Sequence, residues 1–238
     1  MANFVLIHGA FRGGWAWDRV VPLLAARGHN VIANDLPASG ERWAPDHDAI
    51  GLDDYVNDIV ASISGNQSAK AVIVGHSQGG FVARAAVERT PDLFEAIGYL
   101  DAPIPINGLR GIDLQSPEAA GYPLPPFDRA DEIAPRILAE EPGLGSDDAE
   151  WINQRLTPQP VGPSLEPLSI VDPVAAAIPS FVAFCSMTPP MYPAWYTRSK
   201  MDASDEPYTL IDAPHDAPVA RPEAVAAWLL AGVATQRT

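Results

Sequence analysis

The chain has 238 residues, enough to bury the core of one large domain, and 47% hydrophobic content with mean hydropathy near zero reads as a soluble globular protein. A formal net charge of −15 argues against a basic face for nucleic acid or an anionic membrane. Cys185 is the only cysteine, which excludes an internal disulfide and suits a reducing compartment, and no apolar segment is long enough to span a bilayer.

Asn3-Phe4-Val5-Leu6-Ile7 reads as a buried strand that opens into His8-Gly9-Ala10. A strand this early leaves no room for a signal peptide, so the expected location is the cytoplasm. Trp15 to Arg27 carries helical periodicity, with Gly28 as its stop. Asn30 to Ala33 is a second strand, and Leu52 to Ile63 is a helix with acidic residues in its first turn. The apolar run Ala71-Val72-Ile73-Val74 ends in Gly75-His76-Ser77-Gln78-Gly79, and a helical segment, Phe81 to Arg89, follows. Ala96 to Leu100 is another strand, ending at Asp101. This alternation predicts an α/β fold whose mostly parallel sheet is covered by helices on both faces.

From Ala102 to about Pro179 the pattern breaks. The segment holds 14 of the 25 prolines and no convincing strand, although Arg129 to Glu141 and Asp147 to Leu156 read as helical. Too long for a plain loop, residues 102–179 are expected to form a helical cap inserted into a core made of 1–101 and 180–238. The sheet resumes with Ser180 to Cys185, a short helix near Ala194 to Met201 and the strand Pro207 to Ile211. Pro222 to Leu230 closes the domain as a helix.

Strand, Gly-x-Ser-x-Gly and helix in succession make the nucleophile elbow of the α/β-hydrolase fold. The serine is expected at φ > 0, a strain of about 1–3 kcal/mol, with backbones so close that only small residues fit two positions either side. Gly75 and Gly79 meet that need, and Ser77 is lifted clear of the strand.

A serine hydroxyl needs an adjacent base, and in this fold the acid and the base follow the nucleophile along the chain. Of the five histidines, His8, His29 and His47 precede Ser77, and His76 is inside the turn. His215, in the loop after the final strand, is the expected base. The acid is less well defined, because its usual place reads Ser186-Met187-Thr188-Pro189-Pro190-Met191 and holds no carboxylate. Asp101 ends a neighbouring strand on the same sheet edge and is favoured; Asp205, Asp202 or no acid at all are the alternatives. Asp212 and Asp216 flank His215, but sequence neighbours rarely point at one ring. The oxyanion needs two N–H donors: the Gln78 backbone, and that of Ala10 with Phe11 as the near alternative.

Leu6-Ile7-His8-Gly9-Ala10-Phe11-Arg12-Gly13-Gly14-Trp15-Ala16-Trp17 resembles the opening of the α/β-hydrolase group that contains plant methylesterases and hydroxynitrile lyases. Gly28-His29-Asn30-Val31 and Asp35-Leu36-Pro37-Ala38-Ser39-Gly40 continue the resemblance. Tyr99-Leu100-Asp101-Ala102 and Arg155-Leu156-Thr157-Pro158-Gln159-Pro160 are similar to segments of bacterial members. The lyases of that group are marked by a threonine before the oxyanion-hole residue and a lysine directly after the base. Gly9 and Asp216 stand there in this chain, so the resemblance implies the esterase side.

The expected activity is that of a serine esterase acting on a small or medium hydrophobic carboxylic ester, lactone or thioester. Phe11, Trp15, Tyr122 and Trp151 are the expected substrate contacts; of the aromatics near the mouth or in the cap, which include Tyr192, most are expected to be packing and the remainder to line an apolar pocket. A non-hydrolytic enzyme on the same fold (lyase, cyclase or acyl transferase) and a small-molecule receptor are the competing readings. Neither a metal cluster at ligand spacing nor a phosphate-loop lysine is present, so no cofactor is expected, and monomer and homodimer both stay open.

Overall fold

The computed structural model describes residues 1–46, 48–64, 70–114, 126–138 and 141–236. Its elements in chain order are β1 (Asn3–Ile7), α1 (Val21–Ala25), β2 (Asn30–Ile32), α2 (Leu52–Ser64), β3 (Ala71–His76), α3 (Gly79–Arg89) and β4 (Phe94–Leu100). Then come β5 (Glu132–Ile133), α4 (Ser146–Asn153), β6 (Gln159–Pro160), α5 (Pro173–Ala176), β7 (Ser180–Cys185), α6 (Pro193–Ser204), β8 (Thr209–Ile211), α7 (Ala217–Ala220) and α8 (Pro222–Gln236). Six strands form one sheet in the order β2-β1-β3-β4-β7-β8, and every neighbouring pair is parallel.

The uninterrupted apolar runs follow from burial on both faces. Along β1 and β3 successive side chains alternate. Val5, Ile7 and Ile73 meet Tyr55, Ile59, Phe81 and Val82 of α2 and α3, whereas Phe4, Leu6, Val72 and Val74 meet Leu24 of α1 and Val225 and Leu229 of α8. Each fully buried side chain of this size contributes roughly 1.5–3 kcal/mol, so a one-residue slip of either strand is prohibitive.

Two helical expectations change. The helix read over Trp15 to Arg27 splits into a 3-10 turn at Gly14–Trp17 and the short α1. Pro22 lacks an N–H and its ring crowds the carbonyl four residues back, so a continuous helix cannot pass through it. Gly28 does end the segment, at φ 79°. Arg129 to Glu141 forms no helix in its described residues. Instead β5 pairs antiparallel with β6, Glu132 opposite Pro160 and Ile133 opposite Gln159, and Pro135 is ill-suited to a helix interior. The segment between β4 and β7 therefore carries α4, as the sequence implied, together with a short strand pair that it did not.

Candidate active site

Parallel strands deliver their C-terminal ends to one edge, and there Ser77 follows β3, Asp101 follows β4, and His215 follows β8. Ser77 sits at φ 53°. Its N–H donates to the Leu100 carbonyl at 3.1 Å and its own carbonyl accepts from Gly80 N–H at 3.0 Å. A Cβ on Gly75 would stand 2.2 Å from the Gly79 carbonyl oxygen, and one on Gly79 would stand 2.7 Å from the carbonyl oxygens of Ile7 and His8. Both glycines are demanded by close approach.

Asp101 is also left-handed, at φ 43°, and is 1% exposed. Its Oδ2 lies 2.5 Å from His215 Nδ1 and accepts from Thr188 Oγ1 at 2.5 Å, while Oδ1 accepts from Cys185 N–H at 3.0 Å. A carboxylate facing Nδ1 favours the tautomer that leaves Nε2 as acceptor. The segment after Cys185, where an acid is usually found, supplies the Thr188 hydroxyl as a hydrogen-bond donor to Asp101 instead. Asp202 and Asp205 are exposed near the end of α6, and Asp202 accepts from the Tyr208 hydroxyl. Asp212 accepts from Ser186 Oγ at 2.9 Å.

The buried His215 ring lies between two others. The Tyr192 ring centroid is 4.1 Å away, and that of His76 is 4.8 Å away. His76 Nε2 donates to the His215 carbonyl at 2.9 Å. Burial, reinforced by the neighbouring His215, pushes the His76 pKa down to about 3, so this ring stays neutral. Asp216 turns away from His215 and takes the Arg12 guanidinium in a fork, Nε to Oδ1 at 2.9 Å and Nη2 to Oδ2 at 2.6 Å. Burial would raise the Asp216 carboxyl, but the Arg12 charge and fork outweigh it and hold the pKa at about 2.

A cavity of about 310 Å³ opens on this edge, lined by Ser77 and His215 together with Ala10, Phe11, Arg12 and Gln78. Its remaining walls include Tyr192, Met191 and, from the segment between β4 and β7, Ile133, Gln159, Pro160 and Ser164. Among the described residues no acceptor takes the Ala10 or Gln78 backbone N–H. The Phe11 N–H is engaged, donating to Gln159 Oε1 at 3.0 Å. Of these two amides, Ala10 is the one left free.

Trp15 and Trp151 do not line this cavity. They pack edge to face, centroids 5.3 Å apart, against Leu138, Ile152 and Val219, with the Arg155 guanidinium 4.2 Å above the Trp151 ring. The 3-10 turn and α4 bring these two expected substrate contacts to each other, where an aromatic pair gains more than either ring alone. Tyr122 lies outside the described residues. Phe11 does line the cavity. Reading the sequence missed Thr188, Gln159 and the Arg12–Asp216 pair, and it left Tyr192 unassigned among the aromatics near the mouth. The available signal was two opposite charges in the loops that carry Ala10 and His215.

Among the described residues no group of three or more His, Cys, Asp or Glu could hold a metal ion. No described helix is long and apolar enough to cross a membrane.

The model of the alpha/beta hydrolase family matches residues 4–228. A carbendazim hydrolyzing esterase of Nocardioides sp. (strain SG-4G) is 29% identical over 168 residues, which are 67% of this chain and 69% of that one. Salicylic acid-binding protein 2 of Nicotiana tabacum is 40% identical over 106 residues, 43% of this chain and 40% of its own length. Among solved structures, a methylesterase from Arabidopsis superposes with a TM-score of 0.80 at 21% identity, covering 99% of this chain and 100% of that one. The last likeness is one of fold.

Proposed function

The chain belongs to the alpha/beta hydrolase family, and we propose that it is a serine esterase that cleaves a small or medium hydrophobic carboxylic ester, lactone or thioester. Ser77 Oγ attacks the carbonyl carbon while His215 Nε2 takes the hydroxyl proton. The carbonyl oxygen, now an oxyanion, is held by the Ala10 and Gln78 backbone N–H groups, an arrangement worth several kcal/mol in such sites. On collapse the C–O bond to the alcohol, or the C–S bond of a thioester, breaks and His215 returns the proton to the leaving oxygen or sulfur. Water, deprotonated by the same ring, then hydrolyses the acyl-enzyme and frees Ser77. Asp101 holds His215 in the required tautomer and stabilises the imidazolium that forms.

The observation that carries this reading is the 2.5 Å contact between Asp101 Oδ2 and His215 Nδ1, on a ring that shares one cavity with the strained Ser77. The apolar walls formed by Phe11, Ile133, Pro160 and Met191 suit a hydrophobic acyl or alcohol group, and about 310 Å³ sits at the small end of ligand pockets. Relatives named as esterases point the same way. The test is labelling by a fluorophosphonate probe together with turnover of short p-nitrophenyl esters. The wild type should do both and Ser77→Ala neither. A wild type inert to the probe, or a Ser77→Ala protein with wild-type turnover, overturns the assignment.

A further inference from the structure

We infer that the oxyanion hole is completed with help from the segment between β4 and β7: Gln159 of that segment and Arg12 of the loop after β1 are positioning residues that clamp the Ala10–Phe11 peptide from opposite sides. This rests on the serine-esterase reading above. Phe11 sits at φ 66°, a region a bulky aromatic seldom occupies. Such strain persists only where surrounding contacts over-determine it, and those contacts are specific. The Phe11 N–H donates to Gln159 Oε1 at 3.0 Å, and the Phe11 carbonyl accepts from Thr157 N–H at 3.1 Å. The Ala10 carbonyl, at the other side of the same peptide, accepts from Arg12 Nη1 at 3.0 Å. Both polar ends of that peptide are thus tied, and Ala10, with its own N–H unclaimed, lines the cavity.

The holders are themselves held. Gln159 is 5% exposed, and its Nε2 donates to the Pro160 carbonyl at 3.1 Å and the Tyr55 hydroxyl at 3.3 Å. Those two bonds decide that the oxygen end of the amide faces Phe11. Arg12 is forked onto Asp216, the residue after the base. Oxyanion donor, base loop and β6 therefore form one hydrogen-bonded unit, although Arg12 and Asp216 are 204 positions apart in sequence and Phe11 and Gln159 are 148 apart. Released from Gln159, the peptide can relax out of its strained state and turn the Ala10 N–H off the reacting carbonyl. Donors of this kind act by being aimed in advance at the developing charge.

The test uses Gln159→Met, which keeps length and apolar volume but offers only a weak thioether acceptor, and Gln159→Glu, which is expected to hold its proton in this buried place and keep a carbonyl oxygen towards Phe11. Removing one oxyanion donor outright costs about 10²–10³ in kcat. Misaiming one should cost Gln159→Met about 10–100-fold in kcat, with KM within about twofold. Affinity for a boronic acid analogue, which places a tetrahedral oxygen in the hole, should fall by a similar factor, and Gln159→Glu should recover most of both. Thermal unfolding run alongside separates aim from stability. A Gln159→Met protein that only melts earlier, with kcat and boronate affinity unchanged, overturns the clamp while leaving the esterase standing. Should Gln159→Met fail to fold, Gln159→Asn, which withdraws the oxygen by one methylene, is read on the same two measurements. A wild type that neither labels nor turns over esters defeats the esterase reading itself, and the clamp with it.

Discussion

The sheet edge and the segment between β4 and β7 build one cavity by different physical means. At the edge, Ser77 and Asp101 are placed by strand ends and left-handed backbone, so their positions follow from the paired strands beneath them. Across the cavity, Ile133, Gln159 and Pro160 ride on a strand pair of two residues each, and Ser164 on a 3-10 turn. Single hydrogen bonds such as Gln78 Nε2 to Ser164 Oγ at 2.6 Å and Phe11 N–H to Gln159 Oε1 join the two sides. The lesson is that edge residues should govern the rate of chemistry, and the opposite wall, apart from the Gln159 contact that fixes Phe11, should govern which substrate fits.

The sharpest way to break that contrast is Asp101→Asn. Its side-chain oxygen can still accept from Cys185 N–H, but an NH₂ group facing His215 Nδ1 imposes the wrong tautomer. We expect kcat to fall about 10²–10⁴-fold with the fold retained, measured by steady-state hydrolysis of a p-nitrophenyl ester beside a melting curve. Full activity in this variant removes Asp101 from the mechanism.

A second expectation concerns acid stability, which should reside at the edge. The His76 pKa is about 3 in the folded protein and near 6.5 when unfolded. Between those values the unfolded chain binds more protons, so stability falls as pH falls, by at most about 1.4 kcal/mol per pH unit from this ring. Asp216, held at about 2, adds loss of the same sign as pH drops below about 4. His76→Gln should flatten the stability curve between pH 6 and 4 without abolishing the slope, since burial lowers His8 as well. Urea midpoints across that range decide it, and an unchanged slope removes His76 from the account.

The smallest effects test the opposite wall. Ile133→Ala should raise KM about 5–20-fold for esters with a branched apolar group, since lost apolar contact in a pocket costs about 1–3 kcal/mol, while leaving kcat on short esters close to wild type. Trp151→Ala should change neither kcat nor KM by more than about twofold, yet lower the melting point through the lost ring pair, worth about 0.5–1.5 kcal/mol beyond area. A large KM change in Trp151→Ala would restore that ring to the substrate pocket.

Short-range pattern by itself determined the parallel core and the strained turn at Ser77, and it singled out His215 as the proposed base. Two-residue alternation within buried strands and the close approach that forces Gly75 and Gly79 are local constraints, written within a few residues of where they act. Tertiary structure alone decided the rest. That Asp101 meets His215 depends on β4 lying beside β7, whose end sends Cys185 N–H and the Thr188 hydroxyl to a carboxylate more than 80 positions earlier. That Trp15 and Trp151 face each other instead of the cavity, and that Asp216 chooses Arg12 over the neighbouring imidazole, depends on which surfaces the chain brings together. Side-chain chemistry states what a residue can pair with, but only packing at a distance selects the partner.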